Sequence, residues 1–341
     1  MKRLVTTVSL AAAALMSASA PSAAWAATVS LEIASQGRGQ TTAPQEWLQQ
    51  LNRAGVTTVR IRGARVGDTP TIETIEGARG AVHRLTGVLT ARGELVLPGG
   101  RFSRRDATGL RDYFDRLKAD GAEAVTEPTG NFGLTKKQFE LAFEALSKPL
   151  AIKTAGRAPR AVLDRVGARL AMPLVVSPGA AAKLQAAPAI RDELGTLTIG
   201  SGLAIALRAE GLAIAPHKPR GGPLELRVAP ASEDEAWPIG YPVKGAPRNT
   251  APDLMQSINV EIDGFTLAEA IGAITPRLEL PVLWDTATLT RLKIDPASIN
   301  VKLPRSRASY KRILERLLFQ ARLRGKLHTD EAGTPFYWIT R

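Results

Sequence analysis

The sequence predicts an α+β protein of several domains, built from small α/β sandwich modules with short mixed sheets. Three observations lead there. The 341 residues, 44% hydrophobic and 23% charged, suffice for two or three cores and exclude a wholly disordered chain. Helical periodicity alternates with short period-two runs along much of the length. One series of elements recurs later in the chain at a nearly constant offset. With no cysteine, the fold rests on apolar cores and not on disulfides.

The chain opens as an export signal. Lys2 and Arg3 precede the small, apolar stretch Leu4 to Ala20, and Ala24-Trp25-Ala26 supplies the small-x-small pattern of a peptidase site. Residues 1–26 therefore read as a cleaved signal peptide, and the mature protein as periplasmic or secreted. Thr6, Thr7, Ser9, Ser17 and Ser19 make the stretch too polar for a membrane anchor, so no transmembrane segment is expected after cleavage. Loss of Lys2 and Arg3 takes the net charge from +13 to +11, because residues 1–26 hold no acid. A basic chain suits an acidic partner, but its cations are scattered and lack aromatic interleaving, so no specific nucleic acid is expected.

Residues 27–148 read as an N-terminal α/β unit. Trp47, Leu48 and Leu51 give a helix over Pro44 to Ala54, stopped by Gly55, and Val56 to Ile61 reads as a strand. Ala81 to Leu89 and Glu94 to Leu97 form a hairpin across Arg92-Gly93, before the turn Pro98-Gly99-Gly100. A helix then follows, with a capping box expected at Ser103 to Asp106 and a face of Leu110, Tyr113, Phe114 and Leu117. Thr135 to Gln138 is a second capping box, opening a helix with Phe139, Phe143 and Leu146 behind it.

The repeat occupies residues 149–230 and 257–341. Arg169-Leu170-Ala171-Met172-Pro173-Leu174-Val175 matches Arg277-Leu278-Glu279-Leu280-Pro281-Val282-Leu283 at an offset of 108. Leu203, Leu207 and Leu212 match Leu314, Leu318 and Leu323 at 111, a loop of different length accounting for the shift. Each copy reads as a strand, an amphipathic helix, a Pro-led strand, a middle extended piece, a second helix and a hairpin. Between the copies, Pro216 to Pro252 holds eight prolines, and residues 231–256 are expected to be an extended Pro-rich linker that lets the modules move. The acidic run Glu233-Asp234-Glu235 within it reads as solvated.

Residues 257–341 resemble the short N-terminal domain of secretins and of TonB-dependent transducer receptors, the STN domain. Val260-Glu261-Ile262-Asp263-Gly264-Phe265-Thr266-Leu267-Ala268-Glu269-Ala270-Ile271 carries its strand-then-helix opening, and Leu280 to Asp285 stands at its central strand. Ile299 to Leu303 takes the next strand, Tyr310 to Ala321 the second helix, and Gly333 to Thr340 the closing hairpin arm. The resemblance implies a small α/β sandwich that docks to proteins in the bacterial envelope and carries no catalysis, with residues 149–230 as a divergent second copy. Pro276 departs from the pattern, ending or kinking the first helix, and Leu289 to Ser298 is an insertion.

Residue patterns for chemistry are sparse. His83, His217 and His328 fall in separate units without metal-ligand spacing, so no metal or other cofactor is expected. Gly200-Ser201-Gly202 is too short for a dinucleotide loop, and Ser201 reads as a helix N-cap. The acids Glu46, Glu73, Glu76 and Glu94 are the candidates for paired-carboxylate hydrolysis of an envelope polysaccharide or peptide, with solvated surface acids as the default reading. Arg101, Arg104 and Arg105 beside a helix start offer an anion site, against which Gly as turn residue and Phe as staple is the simpler account. Arg305, Arg307, Lys311, Arg312 and Arg316 mark a basic binding surface around the last helix. The expectation is a non-enzymatic interaction or adaptor protein, whose partner is an envelope protein or an acidic envelope polymer; an envelope hydrolase is the alternative.

Overall fold

The computed structural model describes residues 27–36, 43–77, 80–231 and 235–341. They belong to two compact units, Met1–Thr126 and Glu127–Arg341, and the α+β class is as predicted. The expected signal peptide and two of the three acids in the run, Glu233 and Asp234, lie outside the described residues.

The first unit contains β1 (Thr28–Ser35), α1 (Ala43–Arg53), β2 (Thr58–Gly63), β3 (Thr71–Gly77), β4 (Gly80–Leu89), β5 (Leu95–Leu97), β6 (Gly100–Phe102), α2 (Ala107–Asp120) and α3 (Glu123–Thr126). The sheet runs β2-β1-β4-β5-β6, with β3 pairing along the early part of β4. β1 joins β2 and β4 in parallel, and α1 is the crossover that a parallel β1–β2 pair needs. Trp47, Leu51, Leu110, Phe114 and Leu117 pack against Leu31, Ile33 and Leu85. α2 is capped by Asp106, which accepts from the Gly109 amide at 3.0 Å, and not by the box expected at Ser103. Gly109 permits this, since a Cβ there would overlap the Asp106 carboxylate. Gly99 has φ +76°, and a Cβ there would overlap the Val125 carbonyl oxygen, so the turn before β6 requires glycine.

The second unit begins with a 3-10 turn at Asn131–Gly133 and α4 (Lys136–Leu146), whose capping box at Thr135 and Gln138 forms. The first copy holds α5 (Pro159–Gly167), β7 (Leu174–Val176), α6 (Pro178–Ala186), α7 (Ile199–Arg208), β8 (Leu212–His217) and β9 (Glu225–Pro230). Next come β10 (Tyr241–Pro242) and α8 (Pro247–Thr250). The second copy holds β11 (Ser257–Thr266), α9 (Leu267–Ile274), β12 (Val282–Trp284), α10 (Thr286–Arg291), β13 (Asn300–Ser309), α11 (Tyr310–Gln320), β14 (Arg324–Thr329) and β15 (Pro335–Thr340).

The two copies share their topology down to single hydrogen bonds. In each, the last strand is central, parallel to the Pro-led strand and antiparallel to its hairpin mate. The Leu226 amide donates to the Pro173 carbonyl as Tyr337 does to Pro281, both at 2.8 Å, and Ser177 and Asp285 cap equivalent helices. The ribbon of β11 and β13 survives in the first copy as one bridge, Pro149 with Thr198, at the position of the Ser257–Ser309 pair. Gly211 and Arg322 turn the chain out of the second helix with positive φ in both copies.

β15 is the wall between two cores. Its alternate residues Phe336 and Trp338 join Leu283 in packing against α7 of the first copy, while Tyr337 and Ile339 face α9 and α11. α7 is buried on all sides, from Ile199 to Leu207. The copies are therefore fused through one core, and they are not modules free to move.

Residues 235–256 likewise differ from the expected loose linker. Trp237 is 3% exposed and its amide donates to the Ile214 carbonyl, Tyr241–Pro242 pairs with β14, and Leu254 is buried beneath the second copy. Proline favours extended backbone, and an extended segment carrying two large apolar side chains gains by adding to a sheet edge and burying them. The boundary expected at residue 148 moves to 126/127, because Phe139 and Phe143 of α4 lean on Trp237 and on the first copy's core.

Candidate functional site

The predicted basic residues sit on two elements of the second copy. Strand β13 is bulged: register with β11 shifts between Val260–Ser306 and Ile262–Leu303, at Pro304, which has no amide to give the ladder. After that shift Arg305 and Arg307 are both exposed, while Val301, Leu303 and Ala308 turn inward. α11 begins at an N-cap, Ser309, that accepts from the Arg312 amide. Tyr310, Ile313, Leu314, Leu317 and Leu318 form its buried face, which leaves Arg312, Glu315, Arg316 and Phe319 in solvent. Phe319 is 81% exposed.

Lys311 is half-buried and pairs with Glu315 at 3.7 Å. Among the described residues, Arg305, Arg307, Arg312 and Arg316 form no ion pair. Four arginines thus stand on adjoining elements with no paired acid among the described residues, Glu315 being turned to Lys311, and an exposed aromatic lies on the same helix strip as two of them. Such a surface has the chemistry to meet acidic groups and apolar surface together.

The hydrolase candidates do not converge. Glu46 pairs with Arg104 at 2.5 Å, Glu94 with Arg101 at 3.5 Å, and Glu73 and Glu76 lie exposed on β3, three residues apart. Arg101 and Arg104 are thereby engaged with acids. His83 is buried with Nδ1 2.9 Å from Thr74 Oγ1, and burial lowers its pKa. His217 pairs with Glu225, and His328 bonds to the Ile239 carbonyl. Phe132 stacks on Trp237 and Phe139.

The seam between the copies holds groups that the sequence reading missed. Thr198, and not Ser201, is the N-cap residue of α7, and Ser201 lies in its first turn. The open amides there meet two acids from the β14–β15 turn: Asp330 accepts from the Thr198 amide at 2.9 Å, and Glu331 accepts from the Ser201 hydroxyl at 2.9 Å, the Thr198 hydroxyl and the Trp237 indole. Carboxylates at a helix N-terminus satisfy orphan donors and oppose the positive end of the dipole. At the other end of α7, Arg208 grips Asp285 with two hydrogen bonds of 3.0 and 3.2 Å. Burial raises the pKa of Asp285, and hydrogen bonds from Arg208 and Thr288 more than reverse this, holding it below the ordinary carboxylate range. The alignment of Asp285 with Ser177, both helix caps, is the one trace of this seam in the repeat.

A cavity of about 290 Å³ lies along the same seam, lined by Pro159, Ile190, Ile205 and Thr286 with Asp192 and Glu210 as its acids. Burial pushes the Asp192 carboxyl up, opposed by the Arg191 charge. Among the described residues no cluster of His, Asp and Glu suited to a metal ion occurs, and no helix is long and apolar enough to cross a membrane.

Comparison with family models, curated proteins and solved structures returned no match.

Proposed function

We propose that this chain is an exported protein of a bacterial envelope that works by docking other proteins through a fused pair of STN-like modules. The observation that carries the reading is the basic surface of β13 and α11, where Arg305, Arg307, Arg312 and Arg316 are exposed and form no ion pair among the described residues. Element order in residues 257–341, strand, helix, strand, strand, helix, hairpin, supports the resemblance, apart from the added α10. A fused pair supports a scaffold role, since a rigid body presents its docking residues at fixed spacing.

The test is affinity capture from envelope extract with the full mature chain, against the variant Arg305→Glu, Arg307→Glu, Arg312→Glu, Arg316→Glu. All four side chains are exposed, so the variant should fold. A specific protein retained by the wild type at physiological salt and lost from the variant supports the reading. Equal retention by both, or none by either, contradicts it.

A hydrolase has one observation in its favour, the raised carboxyl of Asp192 in the seam cavity. Its test is turnover of envelope glycans and peptides by the wild type and by Asp192→Asn; activity abolished by the substitution would establish it in place of docking alone.

A further inference from the structure

Asp285, Asp330 and Glu331 all accept hydrogen bonds at the ends of α7. Glu193, in the loop before α7, accepts from the amides of Thr154, Ala155 and Gly195. Asp192 and Glu210 stand apart from these acids: among the described residues neither side chain forms a hydrogen bond or an ion pair. Both line the seam cavity of about 290 Å³.

Asp192 is held in place there without being satisfied. The hydroxyl of the buried Thr154 donates to the Asp192 carbonyl at 2.8 Å and accepts from the Leu194 amide at 2.7 Å, which fixes the backbone on either side of the carboxyl. The carboxyl itself meets no donor, and Pro159, Pro188, Ile190, Leu194, Ile205 and Ala206 line the same cavity with apolar surface. A half-buried carboxyl without a donor costs free energy, and a bound cation bearing N–H groups removes that cost. Burial raises its pKa, the direction expected of a carboxyl that lacks a partner.

We infer that the seam cavity binds a primary ammonium carried on a short aliphatic chain, with Asp192 as its counter-ion. The apolar walls take the chain, and Glu210 is a second acid on the same lining. The volume lies at the small end of ligand pockets, about 300–1,000 Å³, so the chain is short. No aromatic ring lines the cavity, which leaves a quaternary ammonium without a cation–π wall and without N–H groups for the carboxyl. Arg191, Ala209 and Thr290 are exposed, so the cavity opens to solvent beside them. The Arg191 charge acts on Asp192 without forming an ion pair, which leaves the carboxyl open. An alkyl carboxylate drawn to Arg191 is the competing occupant, and it would face both acids. Thr286 and Thr290 belong to α10 of the second copy and the rest of the lining to the first. A ligand there touches both copies and stabilises the fused state. The inference does not depend on the basic surface of β13 and α11.

The experiment titrates the ¹⁵N-labelled mature chain with alkylamines of three to six carbons, and with the alcohol and the carboxylate of each length, following the amides of Ile205, Ala206 and Thr286. The expected result is saturating shifts at these amides, with the best amine bound at least about tenfold more tightly than its alcohol. Asp192→Asn is nearly isosteric; it should weaken the amine about tenfold and leave the alcohol unchanged. Ala209→Leu, at an exposed lining position, should weaken both by narrowing the cavity. The amine at a hundredfold excess over its Kd should raise the Tm by roughly 5 °C. Nα-acetyl-lysine methylamide bound as tightly as pentylamine extends the site to a partner's lysine side chain, and weaker binding assigns it to a free amine. Equal affinity for amine and alcohol, preference for the carboxylate, an amine affinity untouched by Asp192→Asn, or no saturable shift with any amine overturns the inference.

Discussion

At single residues the account makes its sharpest commitments. Asp285 is 2% exposed and accepts from Arg208, Thr288 and Thr340. Its folded pKa is depressed, so its contribution is present above the unfolded value, about 4, and is lost as pH falls through the folded value. Asp285→Asn should cost about 2–3 kcal/mol at neutral pH, and the variant should lose less further stability on acidification than the wild type does. Urea unfolding at pH 7 and pH 3 measures both. Tyr337 runs the other way. Its hydroxyl is buried with no hydrogen-bond partner among the described residues, and burial raises its pKa. Tyr337→Phe keeps the ring and removes an unsatisfied group, so it should be neutral or raise stability by up to about 1 kcal/mol in the same assay. Tyr337 carried no sequence signal beyond its residue type, and Asp285 only its alignment with Ser177 in the repeat, because what distinguishes them is a partner, or the lack of one, at long range.

Among the elements, local signals were legible where they act locally. Thr135 with Gln138 and Thr266 with Glu269 are capping boxes in the sequence and in the structure. The helix faces of α2 and α11 follow their periodicity, and Pro276 does end α9, at a 3-10 turn over Thr275–Arg277. Ser103 and Ser201 are not caps because each helix starts elsewhere: α2 begins after Asp106, whose side chain accepts from the Gly109 amide, and α7 begins after Thr198, which leaves Ser201 in its first turn. Edge protection was equally illegible. The Gln320 side chain donates to the Lys302 carbonyl and accepts from the Lys302 amide, occupying the outer edge of β13 as a neighbouring strand would. Gln320→Ala should speed hydrogen exchange at the Lys302 amide while leaving Val301 and Leu303 unchanged. Uniform acceleration along β13 would show that the edge is not held by this one side chain.

For the molecule as a whole, duplication was visible in the sequence and its consequence was not. Offsets of 108 and 111 reveal two similar folding units, but they do not say whether those units touch. The decisive feature is β15, where Phe336 and Trp338 serve one core and Tyr337 and Ile339 the other. A strand apolar on both sides reads simply as a strong strand until a second core is known to lie behind it. The predicted basic residues show the same division: Lys311, Arg312 and Arg316 are legible as a basic helix face, whereas the burial of the corresponding face of α7 needed the fold. The central claim is that α7 on the second sheet makes the two copies one body. Native-state hydrogen exchange on the full chain tests it most directly. Amides of α7, β9 and β15 should open with one common free energy, and Glu331→Ala, which strips the acid from Ser201, Thr198 and Trp237, should lower all three together by about 1–3 kcal/mol. Two separate opening free energies, with β15 unaffected when α7 is weakened, would contradict the account.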